Sequence, residues 1–232
     1  MSLAAWWVND PVPNLPPLPG FEVRVAADPV ELTQLTGLTL EEVQARWDAG
    51  HQAYMGTLLG RPVTYGWVAT RSAVIGELEL GFALSAEDRY LWDFATLPEW
   101  QGRGLYPRLL QGIAARTVAE AAGATRRLWI IHAPENLPSG AGMHKAGFEP
   151  VGELSYRAEG GIGLAPLEPT ERAQAGAALL GVPLIDTVLA PCWTCGGAAP
   201  RPGSAAVTCW PPLPPAAPPC CCAQPVKPAV LQ

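Results

Sequence analysis

Hydrophobic and polar positions along this chain change their period several times, and each period predicts a type of element. Between residues 21 and 97 apolar residues mostly alternate with polar ones, as in half-buried strands. The predicted strands span residues 21–26, 52–59, 62–70, 73–84 and 90–97. The second and third flank a turn at Gly60-Arg61, and the last two flank the polar turn 85–89. The pattern therefore predicts an antiparallel meander.

Other segments have the three-to-four-residue spacing of helices. Residues 39–50 form one such segment, with Thr39 as its cap, and residues 107–122 form another, which Gly123 ends as a C-terminal cap. After them we expect a buried strand at 128–132, a short helix at 139–146, a strand at 148–157 and a helix at 169–180. Because strands and helices are mixed along the chain, the fold class is α/β.

The two ends differ from this central part in composition. The chain holds 26 prolines and 24 glycines, which are concentrated towards its ends. Residues 1–20 carry Trp6 and Trp7 followed by five prolines, which favours an arm without regular structure. The predicted layout is a proline-rich arm at 1–20, a main domain at 21–160, a helix and linker at 161–190, and a tail rich in proline and cysteine at 191–232.

Charge and hydrophobicity exclude some classes of partner. The formal net charge of −6 disfavours nucleic acid, whose protein partners present a basic face. The first residues lack the basic and apolar segments of a secretory signal, and no run of about 18 apolar residues predicts a membrane span. We therefore expect a cytoplasmic protein with no membrane and no nucleic-acid partner.

One stretch of the sequence has the pattern of a ligand-binding turn. A predicted strand is followed by Pro98-Glu99-Trp100, by the glycine-rich turn Gln101-Gly102-Arg103-Gly104 and then by a helix. Glycines leave the backbone amides of such a turn accessible, and the helix adds the positive end of its dipole, so the segment predicts a pyrophosphate cradle. A plain tight turn is the alternative.

The whole arrangement resembles the coenzyme A signature of the GNAT superfamily of N-acetyltransferases, in which Gln/Arg-x-x-Gly-x-Gly/Ala opens a long helix. Here Tyr106 stands where that signature has a small residue, and Pro107 follows it. A second signature of the family, an Asn before a short helix that ends in Lys-x-Gly-Phe, is similar to the segment from Asn136 through Ser139 to Phe148. The resemblance covers residues 21–157.

The resemblance implies a GNAT-like, mixed and mostly antiparallel sheet with helices on both faces. Its central pair of strands splays apart, and coenzyme A occupies the cleft between them. Backbone amides beside a bulge would hold the pantetheine arm and form an oxyanion hole. The residues implied to bind the cofactor are Phe94, Ala95, Thr96, Gln101, Gly102, Arg103, Gly104, Leu105, Tyr106, Asn136 and Ser139.

Proton transfer has two candidate residues. Asp93 is a carboxylate within an apolar strand just before the proposed oxyanion hole, where it is a base, a substrate anchor or a structural partner. His132 follows a buried strand and is a base or a structural histidine. Relatives protonate the leaving thiolate with a tyrosine seven residues after the Asn, a position that Met143 holds here. Trp92 and Trp100 line an acceptor pocket or belong to the core.

All six cysteines lie beyond residue 190. Cys192 and Cys195 have the spacing of half a zinc ribbon, but the other half is poor. An unstructured tail is the favoured interpretation, zinc and disulfides are the alternatives, and no metal ligand is assigned.

The sequence thus predicts an acetyltransferase that moves an acetyl group from acetyl-coenzyme A, as co-substrate, to an amine that attacks the thioester directly. The acceptor is a small-molecule or peptide amine, which the sequence does not identify, and the oligomeric state is unknown. The alternatives are a non-catalytic acyl-coenzyme A binding or sensing module and an interaction protein that uses its cysteine-rich tail.

Overall fold

The computed structural model describes residues 1–120, 124–157, 160–186, 189–192 and 197–200. The chain divides into two compact units, one of residues Ser2–Val151 and one of Met1 with residues from Gly152 onward. Within the described residues, no helix combines the length and the apolar character needed to span a membrane.

The first unit holds a mixed sheet and four helices. Its strands are β1 (Ser2–Trp7), β2 (Phe21–Val25), β3 (His51–Leu58), β4 (Arg61–Ala69), β5 (Ser72–Ile75), β6 (Leu80–Ala83), β7 (Asp88–Thr96) and β8 (Arg127–His132). Its helices are α1 (Pro29–Thr36), α2 (Leu40–Asp48), α3 (Leu105–Glu120) and α4 (Leu137–Ala146). The main sheet has the order β2-β3-β4-β7-β8-β1, with every pair antiparallel except the parallel pair β7 and β8.

Helices cover both faces of this sheet, as predicted. Tyr54 of β3 packs in a core with residues of α3 and α4, whereas its neighbours Ala53 and Met55 pack in a second core with residues of α1 and α2. This division follows from the two-residue period of a strand, which points successive side chains to opposite faces.

The ends of the helices are encoded locally. Thr39 and Glu42 form a capping box at the start of α2, where the Glu42 amide donates to Thr39 Oγ1 at 3.2 Å and the Thr39 amide donates to the Glu42 carboxylate at 2.8 Å. Helix α1, which the pattern analysis missed, begins at the Asp28 cap and ends at Gly37, whose φ is +77°. Asp-Pro at its start and Gly at its end are a signal that could have identified it.

Two predictions about the strands of this unit were wrong. Residues 2–7 form β1, which pairs with β8, although no regular structure was expected there. Nearly all of β1 is buried, so its residues show no alternation, and the proline signal applies only from Pro11 onward. Residues 73–84 do not form one strand paired with 90–97. They contain β5 and β6, which pair with each other around a 3-10 turn at Gly76–Leu78.

The expected boundaries of the longest helix also change. Helix α3 begins at Leu105 rather than Pro107, since the proline fits inside the first turn. Its predicted cap, Gly123, lies outside the described residues.

The second unit contains a hairpin and one helix. Strand β9 (Glu149–Tyr156) begins in the first unit, and its residues from Gly152 onward pair antiparallel with β10 (Ile162–Pro166). Helix α5 (Glu171–Leu180) follows. Thr170 caps α5 by accepting a 3.2 Å hydrogen bond from the Ala173 amide, so the helix begins two residues after the predicted start at Pro169. The short backbone strands β11 (Leu189–Cys192) and β12 (Gly197–Pro200) pair antiparallel.

Candidate active site

A cleft opens in the first unit where β7 and β8 part. Their parallel pairing runs from Asp88 and Arg127 to Leu91 and Ile130 and then stops, although β7 continues to Thr96. The central pair is therefore splayed, as predicted.

A bulge on β7 lies at this point. Tyr65 of β4 pairs with Ala95 and Trp67 pairs with Trp92, so Asp93 and Phe94 together face the single residue Gly66. Asp93 has a φ of +49°, in the left-handed region that non-glycine residues rarely adopt. The bulge takes Asp93 and Phe94 out of the regular ladder with β4, whereas Ala95 and Thr96 stay paired with β4. All four residues lie beyond the end of the pairing with β8, so their backbone groups on that side are free of strand pairing.

The bulge changes which way side chains point. Leu91 and Phe94 both pack in the core beside α3 and α4, whereas Trp92 and Asp93 both contact Arg46 of α2 on the other face. Phe94 lies over Gly66, where a Cβ atom would come within 2.0 Å of Phe94 Cε1. Glycine at position 66 is thus required by the close packing of the Phe94 ring.

The cleft has a volume of about 710 Å³. Its lining includes ten of the residues predicted to bind the cofactor: Phe94, Ala95, Thr96, Gln101, Gly102, Gly104, Leu105, Tyr106, Asn136 and Ser139. Trp100 and Lys145 also line it. The predicted residues Arg103, Asp93 and His132 are not part of this lining.

The glycine-rich turn leads directly into α3. Gly102 and Gly104 have φ values of +74° and +68°, which only glycine adopts without strain. The Gln101 side chain donates to the Thr96 carbonyl at 3.1 Å and so ties the turn to the end of β7. The first amides of α3 have no partner within the helix, and with Lys145 across the cleft they give this end a positive potential.

Tyr106 fills the space between α3 and α4. Its hydroxyl lies 3.3 Å from Ser139 Oγ, and its ring meets Phe94 edge-on with the ring centroids 5.5 Å apart. Helix α4 accommodates the ring at Gly142, where a Cβ atom would lie 2.3 Å from Tyr106 Cδ1. Burial raises the pKa of the Tyr106 phenol to about 12, and the hydrogen bond with Ser139 opposes this only in part.

The residues of the second signature have local roles. Asn136 caps α4 by accepting a 3.1 Å hydrogen bond from the Ser139 amide. Met143 is buried in the core, and the next residue, His144, is exposed. Neither therefore presents a proton donor to the cleft.

His132 has one ring nitrogen engaged. Its Nδ1 lies 2.7 Å from the Ala133 carbonyl oxygen, which only accepts, so Nδ1 carries the proton. In the neutral ring this leaves a lone pair on Nε2. The ring lies against Gly140, where a Cβ atom would be 3.2 Å from His132 Cε1.

Asp93 forms an ion pair with Arg46, which the sequence analysis did not single out. The Arg46 guanidinium carbon lies 4.8 Å from the centre of the Trp67 ring and 4.5 Å from that of Trp92. The sequence signal that could have identified Arg46 is its position between Val43 and Trp47, two apolar residues by which α2 packs on the core. Nothing in the sequence connects it with Asp93, which is 47 residues away.

A second cavity, of about 660 Å³, adjoins Trp92. His51, Ser72, Val74 and Phe82 are among its lining residues. Burial lowers the pKa of His51, with smaller contributions from the Arg46 and Arg71 charges, so its imidazole is neutral at pH 7. The His51 ring meets Trp92 edge-on at 5.1 Å, and its Nδ1 has no hydrogen-bond partner among the described residues.

The described residues also bear on a metal site. They contain no group of three or more His, Cys, Asp and Glu side chains placed to hold a metal ion. Of the tail cysteines, only Cys192 falls in a described segment, as part of the β11 backbone, and the other five lie outside the described residues.

The family model for the acetyltransferase (GNAT) family matches residues 34–148. This range contains the bulge, the glycine-rich turn and α4. Through these residues the chain belongs to the GNAT family of acetyltransferases. No curated protein matches the chain.

Several solved structures that match part of this chain are described as acetyltransferases. A GCN5-related N-acetyltransferase from Kribbella flavida is 19% identical, and the match covers 64% of this chain and 53% of that chain at a TM-score of 0.44. A GNAT-family acetyltransferase from Streptococcus pneumoniae is 17% identical, with 60% and 89% covered and a TM-score of 0.43. The aminoglycoside acetyltransferase AAC(6')-Ib, solved with coenzyme A and kanamycin, is 17% identical, with 60% and 90% covered and a TM-score of 0.45. The likeness concerns the fold alone.

Proposed function

We propose that this chain transfers an acetyl group from acetyl-coenzyme A to an amine. The observation that carries the proposal is the combination, in one cleft, of a bulged strand that parts from its neighbour and a glycine-rich turn at the start of a helix. Backbone amides at the bulged strand can bind the carbonyl of an acyl thioester, and the glycine-rich turn can bind a pyrophosphate.

The residues of the cleft fit coenzyme A. The volume of about 710 Å³ lies in the usual range of small-molecule sites. Amides of the turn Gln101 to Leu105 would hold the pyrophosphate, and a side chain at Gly102 would project into open space where that group approaches. Backbone groups of Phe94 to Thr96 would pair with the pantetheine arm, with Asn136 and Ser139 on the opposite wall.

Acetyl-coenzyme A supplies the thioester, at which a C–N bond to the amine forms as the C–S bond breaks. The chain's own contribution begins with the bulge, because amides freed from strand pairing can donate to the carbonyl oxygen as it gains negative charge. Such donors are fixed before the reaction, so no reorganisation is needed when the charge develops. Losing a donor of this kind typically costs about 10²- to 10³-fold in kcat.

The attacking amine must be neutral. A lysine-like amine has a pKa of about 10.4, so fewer than about one molecule in a thousand is deprotonated near pH 7. We propose Asp93, directly or through water, as the group that receives the proton, with Arg46 holding the carboxylate in place. His132 is the second candidate, since its Nε2 is the ring nitrogen left to accept a proton.

The leaving sulfur needs a hydrogen-bond donor, and Tyr106 offers one. With a pKa of about 12, its hydroxyl stays protonated across the working pH range. Full proton transfer from such a phenol to a thiolate with a pKa of about 8.5 is uphill. Tyr106 therefore serves by donating a hydrogen bond, while the proton released by the amine neutralises the thiolate.

A sensing module that binds acyl-coenzyme A without turnover is the second candidate. The buried Met143 favours it, because this side chain cannot donate a proton. Release of free thiol from acetyl-coenzyme A in the presence of a panel of amines decides between the two.

Replacing Gly102 with Glu tests the cofactor site. A carboxylate in the turn should repel the pyrophosphate and weaken coenzyme A binding at least tenfold, about 1.4 kcal/mol, in calorimetric titration. Gly37→Glu is a matched control, because Gly37 has a φ of +77° against +74° at Gly102, and neither Cβ would meet an atom within 4 Å. Equal affinity in the two variants would remove the turn from the cofactor site.

A further inference from the structure

Arg46 is held rigidly but uses little of its hydrogen-bonding capacity. Its side chain is stacked on Trp67 and Trp92 and is 21% exposed. A guanidinium has five N–H donors, and among the described residues Arg46 makes one side-chain hydrogen bond, from Nη1 to Asp93. A fixed planar fork with unused donors is well suited to bind a second carboxylate.

Asp93 places this guanidinium beside the reacting centre. Consecutive Cα atoms lie about 3.8 Å apart, so Asp93 adjoins Phe94, the first residue of the proposed oxyanion hole. The bulge directs Phe94 toward α3 and α4 and Asp93 toward α2. Because the pairing of β7 with β8 stops at Leu91 and Ile130, no ladder between these two strands separates the α2 side from the cofactor side beyond this point. An acceptor bound on the α2 side would reach the thioester between the two strand ends.

The charges around this point are balanced. Asp93 is paired with Arg46, and the nearby Tyr65 is a neutral phenol whose pKa is raised by burial and by the Asp93 charge. His51, at the edge of Trp92, is neutral because burial lowers its pKa. Among these described groups, Asp93 is the one carboxylate and it is already paired, which does not favour a polycation as acceptor.

We propose that the acceptor is an amine that bears a carboxylate within a few bonds of its nitrogen, an α-amino acid being the simplest case. Its carboxylate binds the free donors of Arg46, and its ammonium approaches Asp93. This inference rests on the function proposed above and names its acceptor class. The bound ammonium first gives one proton to Asp93, from which it passes to solvent. The neutral amine then forms the C–N bond as the C–S bond breaks, and its second proton ends on the sulfur, so that coenzyme A leaves as the thiol and atoms and charge balance.

Acceptors that differ only in the carboxylate test this proposal on the unaltered protein. Phenylalanine, phenylalaninamide, phenethylamine and spermidine are compared by thiol release with saturating acetyl-coenzyme A between pH 7 and 9. Because the pKa values of the four amines differ, kcat/KM is expressed per neutral amine. We expect kcat/KM for phenylalanine to exceed that for its amide by about 10- to 100-fold, the effect of one or two charge-assisted hydrogen bonds. The difference should lie mainly in the acceptor KM.

Arg46 variants test the residue itself. Arg46→Gln should bring the ratio of phenylalanine to phenylalaninamide close to one, and Arg46→Lys, which keeps the charge but not the planar fork, should give an intermediate ratio. Arg24→Gln is the matched control, because it breaks a similar ion pair, that of Arg24 with Glu31, away from the cleft. The control should keep the wild-type ratio. Circular dichroism confirms that each variant is folded.

The possible results separate this inference from the proposed function. Preference of the wild-type protein for the amide, the plain amine or spermidine overturns the inference and leaves acetyl transfer intact, as does an unchanged ratio in folded Arg46→Gln. If Arg46→Gln does not fold, the wild-type ranking and the Arg46→Lys ratio still decide. Thiol release with none of the four amines, although coenzyme A binds, overturns acetyl transfer together with this inference.

Discussion

Asp93 combines backbone strain and a charge with the catalytic role proposed for it. Its left-handed backbone conformation costs on the order of 1–3 kcal/mol, although Asp and Asn tolerate it better than other non-glycine residues. The ion pair with Arg46 holds the side chain toward α2 while the backbone forms the bulge. The same residue thus forms part of the bulge in the backbone and presents a carboxylate on the α2 face of the sheet.

Asp93→Asn should separate the chemical role from the structural one. Asn accepts the same backbone conformation but has no charge, so kcat/KM should fall by about 10²-fold or more, while coenzyme A affinity changes little. Steady-state kinetics between pH 5 and 9 check this, and a base should move or erase the acidic limb of kcat. Wild-type kcat with an unaltered acidic limb would make His132 the next residue to test.

His51 should contribute to the pH dependence of stability. Its folded-state pKa lies below the value near 6.5 of the unfolded chain, so both states are neutral above that pH and the full stability is present. As the pH falls below 6.5, the unfolded chain takes up the proton first, and stability is lost. His51→Gln should therefore flatten the fall in melting temperature between pH 7 and 5.

His144→Gln is the control for this measurement, because His144 is exposed. It should leave the pH dependence as in the wild type. An equal slope in His51→Gln and wild-type protein would contradict the assignment to His51.

Site residues that belong to one short sequence pattern could be predicted, whereas residues whose role depends on a contact with a distant part of the chain could not. The turn from Gln101 to Gly104 was found because two glycines before a helix form a pattern within one short segment. Arg46 was missed because its meaning depends on an ion pair formed only after α2 packs on the sheet.

At the scale of elements, α3 and α4 meet through a large residue opposite a small one. Tyr106 on α3 packs on Gly142 of α4, so the volume that Tyr106 adds is removed at Gly142. The substitution that stood out in the sequence, a tyrosine in place of a small residue, thus has a compensating partner on the neighbouring helix.

Gly142→Ala should destabilise the protein. Alanine gains about 1 kcal/mol in helix propensity, but its Cβ would lie 2.3 Å from the Tyr106 ring, and overpacking of this kind typically costs about 1–3 kcal/mol. We expect a lower melting temperature and weaker coenzyme A binding, because the shifted ring lines the cleft. Adding Tyr106→Ala should restore part of the lost stability, and no rescue in the double variant would contradict direct packing.

The errors in the predicted elements have a common cause. Residues 73–84 alternate as a single strand would, yet the 3-10 turn at Gly76–Leu78 folds them into a hairpin, and the alternation continues on both sides of the turn. Alternation indicates strand character but does not identify the partner strand, which long-range packing determines.

For the molecule as a whole, catalysis should depend on the first unit. The family match and the residues that line the cleft all lie within Ser2–Val151. The layout of arm, domain, linker and tail stays a prediction beyond these residues, because most of the tail lies outside the described segments.

Deleting residues 201–232 should leave coenzyme A affinity and the melting temperature unchanged, because both signatures precede this segment. Titration calorimetry and thermal unfolding of the shortened chain check this. Loss of binding by a shortened chain that stays folded would show that the coenzyme A binding domain extends beyond the predicted boundary at residue 160. Zinc at one equivalent per full chain would favour the ribbon over an unstructured tail.

Strand β1 was not predicted because the evidence for it lies in long-range pairing and not in its own sequence. Its segment is short and uniformly apolar, and only its pairing with β8 shows that it belongs to the sheet. Trp6, 5% exposed, packs in the same core as Leu110 of α3 and Ile130 of β8. Such a role is visible only when distant parts of the chain are brought together.

This pairing also determines when the sheet can be completed. Trp7 pairs with Arg127 and Ser2 with His132, so each contact of β1 closes a loop of more than a hundred residues. Contacts between residues so far apart raise the contact order and slow folding, since the chain loses loop entropy before it gains the contact. During synthesis on the ribosome β1 emerges long before β8, and its apolar residues must stay out of aggregates until their partner strand has followed.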